Sequence, residues 1–148
     1  MPRTPPARRK LALMFPGQGS QHAGMGKRVA ERSSAARDVF AHADDVLGFS
    51  VSNIVLGGDE SELAKTVNTQ PAILAVSWAY LAYLRERAAE MGRQIRPSLV
   101  SGHSFGQFTA AAAAESITFS DALQLVRERG RIMTKWSQTK PGGMASII

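Results

Sequence analysis

The sequence predicts an α/β fold in which helices flank a parallel β-sheet. Two short apolar runs, residues 11–15 and 97–101, are strand candidates, and each leads directly into a glycine-containing turn. The chain between them is largely helical in pattern, and an Ala-rich helical segment follows the second run over residues 108–115. Strands that alternate with helices favour a parallel sheet.

The first helical segments can be placed by their apolar spacing. Residues 26–48 carry a helical pattern in two pieces that is broken near residues 33–34. Residues 57–59 read as a loop, and a short helix is expected over residues 61–67. In the first of these segments, five apolar side chains recur at helical spacing and should face the core: Val39, Phe40, Ala43, Val46 and Leu47.

A long helix should follow. Thr69 is expected to be its N-cap, with Pro71 in the first turn, where the missing N–H of proline costs nothing. The helix should run to about Met91 and end at Gly92. Its aromatic side chains are expected to belong to the core rather than to a cofactor site: Trp78, Tyr80 and Tyr83.

The last predicted helix opens with a capping box at residues 118–121 and should end near residues 141–143. It carries three arginines at alternate positions: Arg127, Arg129 and Arg131. Residues 144–148 read as the beginning of a strand, so we expect the sequence to stop partway through its architecture. The predicted organisation is a disordered basic tail over residues 1–10 and one partial domain over residues 11–148.

Composition excludes several classes of protein. The 148 residues contain no cysteine, which excludes disulfides, a thiolate nucleophile and cysteine-bound metal. No apolar run approaches the roughly 18 residues of a membrane helix, and the apolar run near the N-terminus is too short for a signal peptide. We therefore expect a cytoplasmic protein without a membrane partner.

The net charge of +6 raises the question of a nucleic-acid partner. Four of the basic residues lie in the first ten positions, and the remaining chain has 14 basic against 12 acidic residues. These charges are spread over helical segments without interleaved aromatic residues, so a solvated helix face is the better interpretation. Such a surface still suits an acidic protein partner or a ligand that carries phosphates.

The motif that carries most chemical information is G-x-S-x-G at residues 102–106. Between a strand and a helix, this pattern places the Ser104 hydroxyl on a sharp turn, clear of the sheet and at a helix N-terminus. The helix dipole and free N–H groups there favour an oxyanion. The alternative interpretation is an ordinary turn rich in Gly and Ser that matches the G-x-S-x-G pattern by chance.

A second glycine-rich loop, residues 16–21, follows the first strand. It lacks the spacing of phosphate-binding motifs, and its polar side chains include the amides of Gln18 and Gln21, which donate hydrogen bonds without adding charge. Such a donor suits a developing oxyanion. The alternative is an ordinary turn from strand to helix.

Five short sequence motifs occur along the chain in an order that resembles a known family. They are residues 15–21, Gly24-Met25-Gly26, Thr69-Gln70-Pro71-Ala72, residues 102–106 and Arg129-Gly130. From residue 11 onward, this arrangement resembles the malonyl-CoA:acyl-carrier-protein transacylases and the acyltransferase domains of fatty-acid and polyketide synthases. The resemblance covers roughly the first half of such an enzyme. It implies a hydrolase-like parallel sheet, cut off before a small ferredoxin-like subdomain.

The resemblance also implies roles for individual residues. Ser104 would be the catalytic nucleophile, and Gln18 with the backbone N–H of Phe105 would form the oxyanion hole. Arg129 would bind the free carboxylate of a malonyl group, and His103 would shape the substrate pocket.

Two positions beside the nucleophile depart from the family pattern. Phe105 stands where the family usually has Leu, which changes the pocket shape but keeps the N–H donor. Gln107 stands where the family usually has Glu, which removes a charge beside the turn.

The general base is the main gap. A serine hydroxyl needs a base to become a good nucleophile, and of His22, His42 and His103 none follows Ser104 in the chain. His22 could approach the site from its loop, whereas His42 reads as a surface residue. Either an unusual residue serves as the base or, as the resemblance implies, the catalytic histidine lies in the half that is absent here.

The function implied by the resemblance is transfer of a malonyl group from malonyl-CoA to the thiol of acyl carrier protein, through an ester on Ser104. No metal or cofactor is needed, because a thioester is already activated. A serine hydrolase and an inactive fragment are the alternatives.

Overall fold

The computed structural model describes residues 10–139. Within that range the chain forms two strands and seven helices in this order: β1 (Ala12–Phe15), α1 (Lys27–Arg32), α2 (Ser34–Leu47), α3 (Val51–Gly57), α4 (Glu60–Ala64), α5 (Thr66–Glu90), β2 (Leu99–Gly102), α6 (Gly106–Ala113) and α7 (Phe119–Thr139). The sequence predictions for residues 1–9, and for residues 140–148 with the strand predicted at 144–148, lie outside the described residues.

The two strands form a parallel sheet, with Ala12 opposite Leu99 and Phe15 opposite Gly102. The predicted α/β fold, a parallel sheet with flanking helices, is therefore confirmed. Both strands end level with each other, so the loops that follow them start at the same end of the sheet. None of the helices within residues 10–139 is long and apolar enough to cross a membrane.

The two faces of the sheet differ. Phe15 packs against Leu81 of α5 and Ala110 of α6, together with neighbouring apolar side chains. On the opposite face, Met14 is 81% exposed and Leu99 is 62% exposed. A parallel sheet normally has both faces covered, so these 130 residues leave one face of the sheet open.

Helix α5 is the centre of the core. Its residues from Asn68 to Val76 are all buried, and α2, α3 and α7 pack around them. The side chains that α5 gathers come from most of the other elements: Val29, Phe40, Val51, Val55, Leu63, Phe105, Leu123 and Val126.

Several predicted boundaries are confirmed. The break near residues 33–34 occurs because Ser33 is the N-cap of α2 and accepts a hydrogen bond from the N–H of Ala36. Gly48 ends α2 in the left-handed region, with φ of 70°. Thr118 and Asp121 form the predicted capping box, in which each side chain accepts from the backbone N–H of the other. By contrast, α3 was not expected, and the helix predicted over 61–67 is α4, which ends at Ala64.

The predicted N-cap of α5 was wrong. The helix begins at Thr66, so Thr69 lies inside its first turns, and its hydroxyl donates to the carbonyls of Leu63 at 2.5 Å and Lys65 at 3.1 Å. An N-cap threonine accepts from a following N–H, whereas a threonine within a helix donates to a preceding carbonyl, and the sequence pattern does not distinguish the two. The predicted C-terminal end is confirmed within one residue, and Gly92 follows with φ of 66°.

The aromatic residues of α5 divide in two. Trp78 and Tyr83 pack against the core, as predicted, and Trp78 also stacks on Phe119 with ring centroids 5.1 Å apart. Tyr80 was wrongly assigned to the core, because it is 43% exposed and lines an open cleft beside β1.

Pro71 within α5 creates the main polar contact between α5 and α7. Proline has no N–H to donate to the carbonyl four residues earlier, which is that of Val67. The guanidinium of Arg127 donates to this carbonyl at 2.8 Å and also to the Asn68 side-chain oxygen at 2.8 Å. The same guanidinium lies 4.3 Å from the ring centroid of Phe49. Arg127 therefore joins α7 to the beginning of α5.

We expect Arg127→Met to lower the free energy of unfolding by about 2–3 kcal/mol. The substitution keeps an apolar stem but leaves the partly buried carbonyl of Val67 without a donor, and hydrogen bonds to charged groups are worth about 1.5–3 kcal/mol. Arg131→Met is the matched control, because Arg131 makes only an exposed pair with Glu128 and should change stability little. Urea denaturation of the 148-residue chain measures both. Equal losses in the two variants would contradict a specific role for Arg127.

Candidate active site

The turn between β2 and α6 is a strained elbow centred on Ser104. Strand β2 ends at Gly102 and α6 begins at Gly106, so only three residues connect them. Ser104 has φ of 53°, a left-handed conformation that residues other than glycine rarely adopt. The elbow that the motif predicts is therefore confirmed, and the exposed Ser104 lies just before the first turn of a helix.

The glycines on either side of the elbow are required for space. A Cβ on Gly102 would lie 2.1 Å from the carbonyl carbon and oxygen of Gly106, far inside van der Waals contact. A Cβ on Gly106 would lie 2.5 Å from the carbonyl oxygen of Pro16. The strand can thus turn directly into the helix, and the helix can sit against the end of β1, only because both positions lack a side chain.

The loop after β1 lies beside this elbow. The N–H of His103 donates to the carbonyl of Phe15 at 3.0 Å, which extends the pairing of the strands past β2. A Cβ on Gly17 would lie 2.7 Å from both Nδ1 and the carbonyl oxygen of His103. The two glycine-rich turns that the sequence singled out therefore meet at the same end of the sheet.

The loop over residues 16–21 is held by its own polar groups. The hydroxyl of Ser20 donates to the carbonyl of Gly17 at 2.8 Å, and the N–H of Gly19 donates to the side-chain oxygen of Gln21 at 2.8 Å. Gly19 has φ of 103°, which suits glycine. Gln18 is exposed and makes no hydrogen bond within residues 10–139, so its amide remains available to a ligand.

Phe105 supplies a free backbone donor from a fixed position. The N–H groups of Gly106 and Gln107 donate to the carbonyls of His103 and Ser104, at 2.8 Å and 3.2 Å. In the described part of the chain, the N–H of Phe105 donates to no protein group. The Phe105 ring is only 1% exposed and belongs to the main core. Phe105 therefore packs into the core behind the elbow, and its effect on the shape of the pocket stays a prediction.

No histidine is hydrogen-bonded to Ser104 among the described residues. The ring of His103 lies against Gly17, and His22 lines a different cleft. His42 is exposed, as predicted, where its Nε2 is 2.9 Å from the hydroxyl of Ser120. Among the described residues, the Ser104 hydroxyl therefore has no general base in contact with it.

The cleft that His22 lines is separate from the elbow. It has a volume of about 410 Å³ and runs between β1 with its following loop and the apolar side of α5. Neither Ser104 nor Phe105 lines it. Its lining includes Pro16 and Ser20 of the loop after β1 but no residue of the elbow itself.

The three arginines of α7 have different surroundings. Arg127 is bound to the beginning of α5, as described above. Arg131 donates twice to the carboxylate of Glu128, at 2.7 Å, and is exposed. Arg129 is partly buried and forms neither a hydrogen bond nor an ion pair with any other described residue. The structure does not record a contact between Arg129 and the elbow, but it leaves Arg129 as the arginine with a guanidinium still available.

One buried polar residue was missed as a site candidate. Gln70 is 0% exposed, and its side-chain oxygen has no hydrogen-bond partner within residues 10–139. The sequence showed Gln70 only as part of a family block, because periodicity cannot reveal that an amide lies in a core. A buried amide with an unused oxygen is the kind of exception that calls for a functional explanation.

Taken together, the elbow has the parts of an acyl-transfer site. It presents an exposed hydroxyl, a free N–H from Phe105 and the amide of Gln18 on a neighbouring loop, which suits a tetrahedral intermediate with negative charge on oxygen. Among the described residues there is no group of three or more side chains that could hold a metal ion.

Comparison with known proteins agrees with this geometry. Residues 13–148 match the model of the acyl transferase domain family. The chain is 42% identical over 139 residues to the malonyl CoA-acyl carrier protein transacylase of Bacillus subtilis strain 168, and 34% identical over 139 residues to that of Staphylococcus aureus strain COL. Each match covers 94% of this chain and 42% of the relative.

Solved structures give the same result. The fold is similar, with a TM-score of 0.77, to a malonyl-transacylase in complex with its type II polyketide synthase acyl-carrier protein, at 40% identity over 91% of this chain and 41% of that one. An acyl carrier protein S-malonyltransferase from Vibrio cholerae gives a TM-score of 0.77 at 37% identity, over 91% of this chain and 42% of that one. The chain thus spans about two fifths of the length of these relatives, and it belongs to the acyl transferase domain family.

Proposed function

We propose that this chain forms part of a malonyl-CoA:acyl-carrier-protein transacylase, in which Ser104 carries the malonyl group between the two thiols. The observation that supports this most is the elbow itself. An exposed serine with φ of 53° lies beside an unpartnered N–H and next to the loop that carries Gln18. The names of the relatives supply the substrates.

The proposed reaction has two halves. The Ser104 oxygen attacks the thioester carbonyl of malonyl-CoA, and the resulting oxyanion accepts hydrogen bonds from the Phe105 N–H and the Gln18 amide. The C–S bond then breaks, and coenzyme A leaves as its thiol with the proton that the base took from Ser104. In the second half, the phosphopantetheine thiol of the carrier protein attacks the seryl ester and regenerates Ser104.

We propose that the base lies outside this chain. No histidine follows Ser104 in the sequence, and neither His22 nor His103 is bonded to its hydroxyl. The relatives are more than twice as long as the segment they share with this chain, so they have further residues that can supply a base.

Arg129 is the proposed binding residue for the malonyl carboxylate. Its guanidinium is partly buried and is not used by another described residue, whereas Arg127 and Arg131 are both occupied. A planar guanidinium binds a carboxylate through two parallel hydrogen bonds. His103, packed over Gly17 beside the elbow, would form one side of the acyl pocket.

Acyl carrier protein is the proposed acceptor, by analogy with the relative whose structure contains its own carrier protein. The surface of this chain is mildly basic, which suits an acidic partner. We place the reaction in the cytoplasm, where fatty-acid synthesis takes its malonyl-CoA.

The proposal is tested with a chimera that joins residues 1–148 to the remaining part of the Bacillus subtilis relative. We expect it to transfer malonyl from malonyl-CoA to carrier protein and to lose this activity in the Ser104→Ala variant. Release of free malonate at the same rate with and without carrier protein would instead indicate a serine hydrolase. An inactive chimera that unfolds cooperatively would contradict the proposed function.

We expect the 148-residue chain alone to transfer malonyl at least 10²-fold more slowly than the chimera, because general base catalysis typically contributes about 10²–10⁴-fold. The open sheet face with Met14 and Leu99 should also make the isolated chain self-associate as its concentration rises. Transfer assays and sedimentation velocity measure these properties. Rapid transfer by the chain alone would show that a base is present within it.

We expect Arg129→Ala in the chimera to cripple malonyl transfer while sparing acetyl transfer. Acetyl has no carboxylate, so it leaves the partly buried guanidinium of the wild type without a partner, which is costly. The alanine variant has no cation in the pocket, and this cost disappears. The values of kcat/KM for malonyl-CoA and acetyl-CoA in wild type and variant decide the matter, with Arg131→Ala as the control. An equal loss for both substrates would mean that Arg129 is structural.

A further inference from the structure

A second serine, outside the elbow, is in hydrogen-bond contact with a histidine. The hydroxyl oxygen of Ser120, on α7, lies 2.9 Å from Nε2 of His42, on α2. Neither side chain makes another hydrogen bond within residues 10–139. His42 is exposed and Ser120 is half-buried, so both are accessible from solvent. A hydroxyl and an imidazole at this distance have the arrangement in which a histidine activates a serine as a nucleophile.

The imidazole of His42 is held in place by ring stacking. It stacks on Phe119 with ring centroids 5.9 Å apart and an interplanar angle of 30°. Phe119 in turn stacks on Trp78, and both of these rings pack against the main core. The helices that carry the pair are fixed by neighbouring alanines, because Ala43 and Ala122 are both 0% exposed. The contact between the hydroxyl and the imidazole is therefore set by the packing of α2 against α7.

The imidazole of His42 has the nitrogen that a general base needs. A neutral imidazole has one N–H and one nitrogen that accepts. Nδ1 of His42 has no hydrogen-bond partner in the described part of the chain, so it is free to carry the ring proton. Nε2 then accepts from the Ser120 hydroxyl, and its lone pair faces the proton that must leave when the oxygen attacks.

Free backbone donors lie beside the Ser120 hydroxyl. Helix α7 begins at Phe119, and the first N–H groups of a helix have no partner within it. The N–H groups of Thr118 and Asp121 are bonded in the capping box, whereas those of Phe119 and Ser120 donate to no group among residues 10–139. An oxyanion on a carbonyl that Ser120 attacks can accept from these two donors.

The surroundings of the pair are acidic. Asp38 and Asp45 lie four residues before and three residues after His42, so they share its side of α2. Asp121 follows Ser120 directly, all three carboxylates are exposed, and none of them forms an ion pair with another described residue. These negative charges disfavour an anionic acyl donor such as malonyl-CoA and leave neutral esters as the class that can approach.

An aromatic groove begins beside the stacked rings. It has a volume of about 590 Å³, and its apolar lining includes Trp78, Ile117 and Phe119. Such a lining suits an aryl group. Because the Ser120–His42 pair itself lies at the surface, water has access to it, so an acyl group on Ser120 is open to hydrolysis.

We propose that Ser120 and His42 form a second nucleophilic site, separate from Ser104, that hydrolyses small neutral aryl esters. The Ser120 oxygen attacks the ester carbonyl while Nε2 of His42 takes its proton. The bond between the carbonyl carbon and the aryl oxygen breaks, and the phenol leaves with that proton. Water then attacks the acyl-Ser120 ester, again with His42 as the base, which releases the carboxylic acid and restores the hydroxyl. This inference does not rest on the proposed function.

The test uses p-nitrophenyl acetate and the 148-residue chain in a Ser104→Ala background, which removes the other candidate nucleophile. We expect release of p-nitrophenol above the rate in buffer. Ser120→Ala and His42→Phe should each lower this excess rate about 10²-fold, which is the lower end of what a general base contributes. His42→Phe keeps a ring that can stack on Phe119 but has no nitrogen. If this variant aggregates, His42→Gln replaces it.

Matched controls separate the pair from serines and histidines in general. Ser137 is an exposed serine on the same helix, but its hydroxyl donates to the carbonyl of Thr134. His22 is an exposed histidine whose ring makes no hydrogen bond to another described residue. Ser137→Ala and His22→Phe should leave the rate unchanged. Equal rates in all four variants, or a loss with Ser120→Ala that His42→Phe does not share, would overturn the proposal.

The acyl group must also be found on the proposed nucleophile. After brief mixing of the Ser104→Ala chain with p-nitrophenyl acetate, an acid quench and digestion, mass spectrometry should locate acetyl on the peptide that contains Ser120. Mixing with malonyl-CoA should leave the same peptide unmodified. Acetyl on other residues alone would overturn the assignment of Ser120, and a malonyl group on Ser120 would overturn the preference for neutral esters.

Discussion

The structure depends on close backbone contact among the end of β1, the end of β2 and the start of α6, at positions where glycine leaves no side chain in the way. Gly102 and Gly106 touch each other across the elbow, and Gly106 also touches the carbonyl of Pro16. Because a Cβ at either position would come within about 2.5 Å of another backbone atom, no other residue allows this geometry. Between these close contacts, Ser104 adopts its left-handed conformation with φ of 53°. The exposed position of Ser104 and the unpaired N–H of Phe105, to which the proposed function gives the chemistry, lie at this contact.

A second close contact holds the helices behind the sheet. Gly130 brings α7 against the backbone of Val67, and Pro71 leaves the carbonyl of Val67 free for Arg127. The two contacts have a common element, since α5 packs both against α7 and, through Phe105 in the core, against the elbow. The stretch of α7 that carries Arg129 is therefore held against α5 by packing in which the Arg129 side chain takes no part.

Much of the fold followed from local patterns in the sequence. Both strands, the elbow and the breaks at Ser33, Gly48 and Gly92 depend on residues that are neighbours in the chain. The N-cap assigned to Thr69 was wrong because a threonine is also accommodated inside a helix, where its hydroxyl donates to a preceding carbonyl. Contacts between residues that are distant in the chain could not be predicted. Three arginines at alternate positions look equivalent in sequence, and only the folded chain shows that Arg127 bonds the carbonyl of Val67 and that Arg131 bonds Glu128. The orphan oxygen of Gln70 is visible for the same reason only in the folded chain.

The central claim is that the elbow makes Ser104 the acyl acceptor, with its oxyanion donors on two different loops. Its most direct test is to mix the chimera with malonyl-CoA in the absence of carrier protein, quench with acid, digest, and locate the malonyl group by mass spectrometry. The account predicts one malonyl group per chain, on the peptide that contains Ser104, and slower formation of this ester in a Gln18→Ala variant. A malonyl group on another residue of residues 1–148, or an unmodified Ser104 in a chimera that still transfers malonyl to the carrier protein, would contradict it.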